Sequence, residues 1–290
     1  MLLKPFPKLS RLPERKRMTA ILGFHCLDGV LLLADTEEMT SEGTKSECEK
    51  IQRFTSQNGS VFLVGGAGNS HFIEYETQEL FKVVQTFASW EELHAILNKE
   101  AKKFVRENLR PYYGSSQEPS GIALLIAVYF QQGATLFHWE HDAVALVPQF
   151  QQASVGCGSI QMHPMLRDIE RPYLSCTATL IHGVRIMFHT KRIVRDVGGR
   201  TEAIALLHNS GTQWYGDETM LKLQNLVAQI EKFHHGMFLP YISSDALSEK
   251  DEQHYLGQIT LAAKEFREEY KKIVRNIIKP SGVQKSGQEP

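Results

Sequence analysis

The chain has 290 residues, 42% hydrophobic and 22% charged, which is an ordinary globular profile long enough to bury a sizeable core. A formal net charge of -1 removes the electrostatic reason to expect nucleic acid or an anionic membrane as a partner, and no apolar run approaches the roughly 20 residues that span a bilayer. The four cysteines (Cys26, Cys48, Cys157 and Cys176) include no CxxC pair, which points to a reducing, cytoplasmic setting, and the twelve histidines form no HxxxH or HExxH, so neither a metal site nor a cofactor is expected.

Residues 1–18 stand apart. Lys4, Lys8, Arg11, Arg15, Lys16 and Arg17 alternate with Pro5, Pro7 and Pro13, and Glu14 is the lone acid. Without a continuous apolar stretch this is no secretory signal, and the prolines make it a poor amphipathic helix. It reads as a flexible extension or removable leader. Ordered structure is expected from Thr19, where TAILGFHC and VLLLAD form two buried strands joined by a turn around Asp28–Gly29. A polar loop, TEEMTSEGTKSECE, leads to a short KIQRF strand, and VFLVGGAG is a further buried strand ending in glycines.

Apolar residues at helical spacing mark residues 70–86 and 90–109, the latter through Trp90, Leu93, Ile96, Leu97, Phe104 and Val105. Strands return with GIALLIAVYF, ATLFHWE, VALVP and ASVG. Helical periodicity resumes over 159–170 and 175–193, then Gly198–Gly199 breaks it and TEAIALLHNSG supplies a last strand and turn. Strands, two helices, strands, two helices and a strand suit two packed sheets between two helical layers. This gives the fold class: α+β, a four-layer αββα sandwich over 19–216. Residues 217–279 form a C-terminal helical extension, and 280–290 are a disordered tail.

The run from Thr19 to Phe54 resembles the opening of proteasome β-type subunits and their bacterial relatives, N-terminal-nucleophile hydrolases. In that family the chain starts with Thr, turns at Asp-Gly, closes the second strand with an acid and opens a later strand with Lys. The matching residues here are Thr19, Asp28–Gly29, Asp35 and Lys50, and VGGAG sets Gly65 where the family's oxyanion-stabilising amide lies. The resemblance implies a threonine-type peptidase or amidohydrolase acting on peptide or unfolded protein. It also implies a homo-oligomeric ring, with an ATP-dependent unfoldase as a possible partner.

The implied chemistry is self-consistent. A threonine hydroxyl is a weak nucleophile, and a free α-amine on the same residue, with a pKa near ~8, supplies the base. Lys50 would lower that amine's pKa by charge repulsion, Asp35 would position Lys50, and the Gly65 amide would stabilise the oxyanion. Three positions depart from the family pattern. Met18 rather than Gly precedes Thr19, so the amine is exposed only if synthesis starts at Met18 or the leader is trimmed. SVGCGS sets Cys157 where a glycine-flanked Ser is usual. VRDVGG sets Val194 and Val197 where Asp and Ser support the amine, with Asp196 close by. These departures carry a second reading, a catalytically silent ring subunit with the same fold; a third is a small-molecule amidase using the same nucleophile.

Overall fold

The computed structural model describes residues 16–17, 19–39, 45–113, 122–167, 174–208, 211–238 and 249–278. Most of the 1–18 leader, Met18 and the 280–290 tail lie outside them. By its internal contacts the chain divides into two compact units, residues 1–214 and 215–290.

The first unit opens with β1 (Lys16–Arg17), β2 (Ala20–Cys26) and β3 (Gly29–Asp35), followed by β4 (Glu37–Met39), β5 (Lys45–Glu47), β6 (Ile51–Thr55) and β7 (Val61–Asn69). Helices α1 (Ser70–Val83) and α2 (Trp90–Phe104) come next, and α2 runs through a π-helical turn, Val105–Leu109, into α3 (Arg110–Tyr113). Then come β8 (Ala123–Phe130), β9 (Gly133–Glu140), β10 (Ala143–Leu146) and β11 (Gln152–Gly156). Helices α4 (Ser159–Arg167) and α5 (Cys176–Ile193) lead to β12 (Thr201–Leu207) and β13 (Gly211–Tyr215).

One sheet has the order β11-β2-β3-β12-β13, and the other β1-β7-β8-β9-β10, with β6 also paired to β7. All seven residues of β2 and all seven of β3 are buried, as their unbroken apolar sequences require. Their inner face, through Ile21, Leu32 and Ala34, meets Leu63, Leu125 and Leu136 of the opposing sheet. Their outer face takes α5, where Gly183 permits close approach: a Cβ there would lie 2.7 Å from Leu33. On the far side, α1 and α2 bury Ile73, Leu80, Leu93, Leu97 and Phe104 against Phe62, Leu124 and Trp139. Helix, sheet, sheet, helix is the expected α+β sandwich.

Four local readings change. Ordered structure begins before Thr19, because Lys16 and Arg17 pair with Asn69 and Gly68 of β7. The tight turn is Leu27–Asp28, with Gly29 already in β3. The polar loop after Asp35 contains the small β4–β5 hairpin, with Glu37 opposite Glu47. A strand, β13, begins at Gly211 where none was expected.

The second unit contains α6 (Asp217–Phe233), which continues as a π-helical turn over His234–Phe238, and α7 (Glu249–Ile278). Asp217 and Glu218 in the first turn of α6 complement its dipole. No described helix is long and apolar enough to cross a membrane.

Candidate active site

Thr19 immediately precedes β2 and Asp35 closes β3. The antiparallel register, Ile21 opposite Ala34, therefore brings the start of one strand to the end of the other. Asp35 Oδ1 accepts from the Thr19 hydroxyl at 2.6 Å and from the Ala20 N–H at 2.9 Å. Lys50, just ahead of β6 in the opposing sheet, reaches across to donate its Nζ to the same oxygen at 2.9 Å and also to the Glu37 carbonyl. The second carboxylate oxygen accepts from the Gly198 N–H at 3.2 Å. Thr19 and Asp35 are 0% exposed and Lys50 is 1% exposed. A buried ammonium and carboxylate in contact are each other's compensation for lost hydration, and here the pair also ties one sheet to the other.

Gly65 lies in β7 between Ile51 of β6 and Leu125 of β8. The space a side chain would need there is filled by Ile21, whose Cγ2 would be 3.1 Å from an added Cβ. Gly65 therefore faces the strand that starts at Thr19.

The loop around Cys157 wraps the Thr19 carbonyl. Gly158 N–H donates to it at 3.4 Å, and the Cys157 thiol makes a weaker contact at 3.5 Å. Although Cys157 is an exposed residue, partial desolvation of its thiol and the nearby Asp35 charge push the thiol pKa up. Gly156 has a φ of 98°, and a Cβ on it would lie 2.1 Å from the Thr19 carbonyl oxygen, so only glycine fits.

Three supports escaped the sequence reading. Glu202 of β12 accepts from the backbone N–H groups of Lys50 and Ile51 at 2.6 and 2.8 Å, pinning the start of β6. Burial raises its carboxyl to about 7 against those two donors. Lys191, in the last turn of α5, donates to the Gly199 carbonyl at 2.9 Å and the Thr201 hydroxyl at 2.7 Å. Burial lowers its ammonium to about 8, opposed by Asp35 and reinforced by Lys50. The third is the Gly198 N–H on Asp35. An acid inside an otherwise apolar strand was the one available signal for Glu202; nothing in sequence spacing marks the other two. Val197 is 2% exposed, and its apolar side chain offers no hydrogen bond.

The sequence profile of the proteasome subunit family matches residues 16–204, well over half of the chain. The chain belongs to the proteasome subunit family. No curated protein sequence matches it. Similar solved structures include Anbu (ancestral beta-subunit) from Yersinia bercovieri, at TM-score 0.62 and 12% identity, covering 79% of this chain and 100% of that one. The helical assembly of the Anbu complex from Pseudomonas aeruginosa aligns at TM-score 0.64 and 13% identity over 80% of this chain and 99% of that one. Anbu from Hyphomicrobium sp. strain MC1 gives 0.60 and 12%, covering 79% and 100%. At such identities the likeness is one of fold. The match ends at Ile204, so the unit from residue 215 onward lies outside the family profile.

Proposed function

We propose that this proteasome-family subunit is a threonine-type N-terminal-nucleophile hydrolase that cleaves peptides or unfolded protein. In this reading Thr19 is the nucleophile, Lys50 tunes its amine, Asp35 positions Lys50 and Gly65 donates to the oxyanion. The observation that carries the reading is the convergence of the Thr19 hydroxyl and Lys50 Nζ on one buried Asp35 oxygen. Three separate segments supply those groups, and a merely structural ion pair has no need of a hydroxyl at the start of a strand.

The chemistry requires a free amine. With Met18 attached, the Thr19 nitrogen is an amide and cannot take up the hydroxyl proton. Activity therefore begins when the chain begins at Thr19. The proton then passes from Oγ1 to the α-amine as Oγ1 attacks the carbonyl carbon, and the ammonium returns it to the leaving amine. The acyl-enzyme ester is hydrolysed by water with the same amine as base. A substrate peptide would lie along the stretch of β7 where Lys16 and Arg17 pair with Asn69 and Gly68. Assembly into a homo-oligomeric ring or helical ring, a cytoplasmic setting and possible service to an ATP-dependent unfoldase belong to the same proposal. The Anbu complex of Pseudomonas aeruginosa, which shares the fold, is a helical assembly of this kind.

A second reading, a silent ring subunit, draws on two observations: Val197 supplies no polar support, and the chain upstream of Thr19 forms a strand on β7. One experiment separates the two. The chain released with Thr19 at its N-terminus is treated with a peptidyl epoxyketone, which bonds to a hydroxyl and an amine on the same terminal residue. A single mass addition on the Thr19 peptide, absent in Thr19→Ala and in the chain retaining residues 1–18, supports the hydrolase. No addition across a panel of peptidyl probes, with fold intact by circular dichroism, establishes the silent subunit.

A further inference from the structure

We infer that the second unit carries a transition-metal site, formed by Glu231, His234 and His235 at the C-terminal end of α6 and suited to Zn(II). The three residues fall at i, i+3 and i+4, the spacing that sets side chains on one helix face. One ligand atom from each, a Glu231 carboxylate oxygen and a ring nitrogen of each histidine, all lie within 4.8 Å of one another. Glu231 Oε2 and His235 Nε2 stand 3.8 Å apart. A tetrahedral ion with bonds of about 2.0–2.1 Å holds its ligands roughly 3.3–3.4 Å apart. Closing that pair takes about half an ångström, within the reach of a rotamer adjustment, and the widest separation closes by about 1.5 Å.

The chemistry of the donor set selects the ion. Two imidazoles and one carboxylate are borderline-soft ligands that favour Zn(II), Ni(II) or Cu(II) over Mg(II) and Ca(II), which need oxygen-rich cages. Two histidines plus a glutamate is a three-ligand zinc set that leaves a fourth position for water or another ligand. The burial pattern fits entry from solvent. The Glu231 side chain is 5% exposed, whereas that of His235 is 64% exposed and able to swing onto an arriving ion. The helix changes from α to π hydrogen bonding at His234, and such widened turns gather at functional positions. The site stands in the helical unit, with no residue in common with the Thr19 cluster, so neither proposal depends on the other.

The competing account is a plain Glu231–His235 ion pair, which forms without metal. The test uses the full chain without a histidine tag, stripped with EDTA and titrated with Zn(II) in competition with a chromophoric chelator; Co(II) absorption reports the geometry. One equivalent per chain, tetrahedral Co(II) bands, and a loss of roughly tenfold or more in affinity for His235→Ala and for Glu231→Gln are expected. A Zn(II)-dependent rise in the melting temperature should appear in the native sequence and vanish in His235→Ala, whose exposed position leaves the fold intact. Binding that is absent, or that is unchanged in both His235→Ala and His234→Ala because other histidines hold the ion, overturns the assignment.

Discussion

Glu76 sits on the buried face of α1, 0% exposed, with neither carboxyl oxygen hydrogen-bonded. Burial first, and the nearby charge of Glu100 second, raise its pKa to about 9, with Lys103 opposing and Glu79 adding to the rise. Lys103 bonds to Glu100 at 2.7 Å and lies 3.9 Å from Glu79, so its charge is directed at other carboxylates. The folded protein thus holds Glu76 protonated at pH 7, while the unfolded chain ionises it near 4.5. The folded-state pKa is raised, so the stabilising contribution is fully present below about 4.5 and is lost as the pH climbs toward 9. At about 1.4 kcal/mol per pH unit over the roughly 2.5 pH units from 4.5 to 7, wild type has lost about 3 kcal/mol by neutrality. Glu76→Gln keeps the shape and is neutral at every pH. Urea denaturation of both proteins at pH 5, 6, 7 and 8 should give a stability difference in favour of the variant that widens by about 1.4 kcal/mol per pH unit. A difference that stays flat from pH 5 to 8, or a variant less stable throughout, would refute the claim that this carboxyl is neutral in the fold.

Three further substitutions test the Thr19 cluster as a physical object. Lys50→Met strands the buried Asp35 carboxylate and should cost about 3–5 kcal/mol in urea denaturation, and adding Asp35→Asn should recover a large part of it. A double variant as unstable as the single one would show that the pair is not the main support between the sheets. Gly156→Ala puts a Cβ against the Thr19 carbonyl and forces a left-handed backbone, costing at least about 1–3 kcal/mol. It should also abolish labelling of a Thr19-terminated chain, and full labelling would mean that the loop does not hold the nucleophile.

The strands were legible where burial on both faces leaves an unbroken apolar run, as in GVLLLAD and ALLIAVYF. The helices were legible where one face alternates with solvent. What escaped is what lacks such a signature. The β4–β5 hairpin is charged and pairs only with itself, so no burial pattern betrays it. Strand β13 is a half-buried edge whose GTQWY sequence follows a turn motif and reads as its continuation. The strand at Lys16–Arg17 follows prolines and carries two cations; it exists because β7 extends to Asn69, past the end of its pairing with β6 at Gly65.

The candidate site divides along the same line. Thr19, Asp35 and Lys50 were named through the family resemblance, whose matching positions are easy to locate because each sits at a strand end, where hydrophobic pattern and turn chemistry set the boundary. Glu202 and Gly198 act from more than 150 residues away, through backbone groups, and no local pattern encodes which main-chain N–H will meet which carboxylate. That division explains how Val197 can be tolerated. Asp35 is held on one oxygen by the Thr19 hydroxyl, the Ala20 N–H and Lys50 and on the other by the Gly198 N–H, so two side-chain and two backbone donors fix its orientation and none of them is the side chain at 197. A polar side chain at 197 would therefore act on the threonine amine rather than on the carboxylate. Losing it would impair proton transfer while leaving the cluster geometry intact. A slowed hydrolase and a silent subunit thus share one cluster geometry: a chain that retains Met18 is silent because its Thr19 nitrogen is an amide, and a chain that begins at Thr19 is told apart by whether its amine and hydroxyl react.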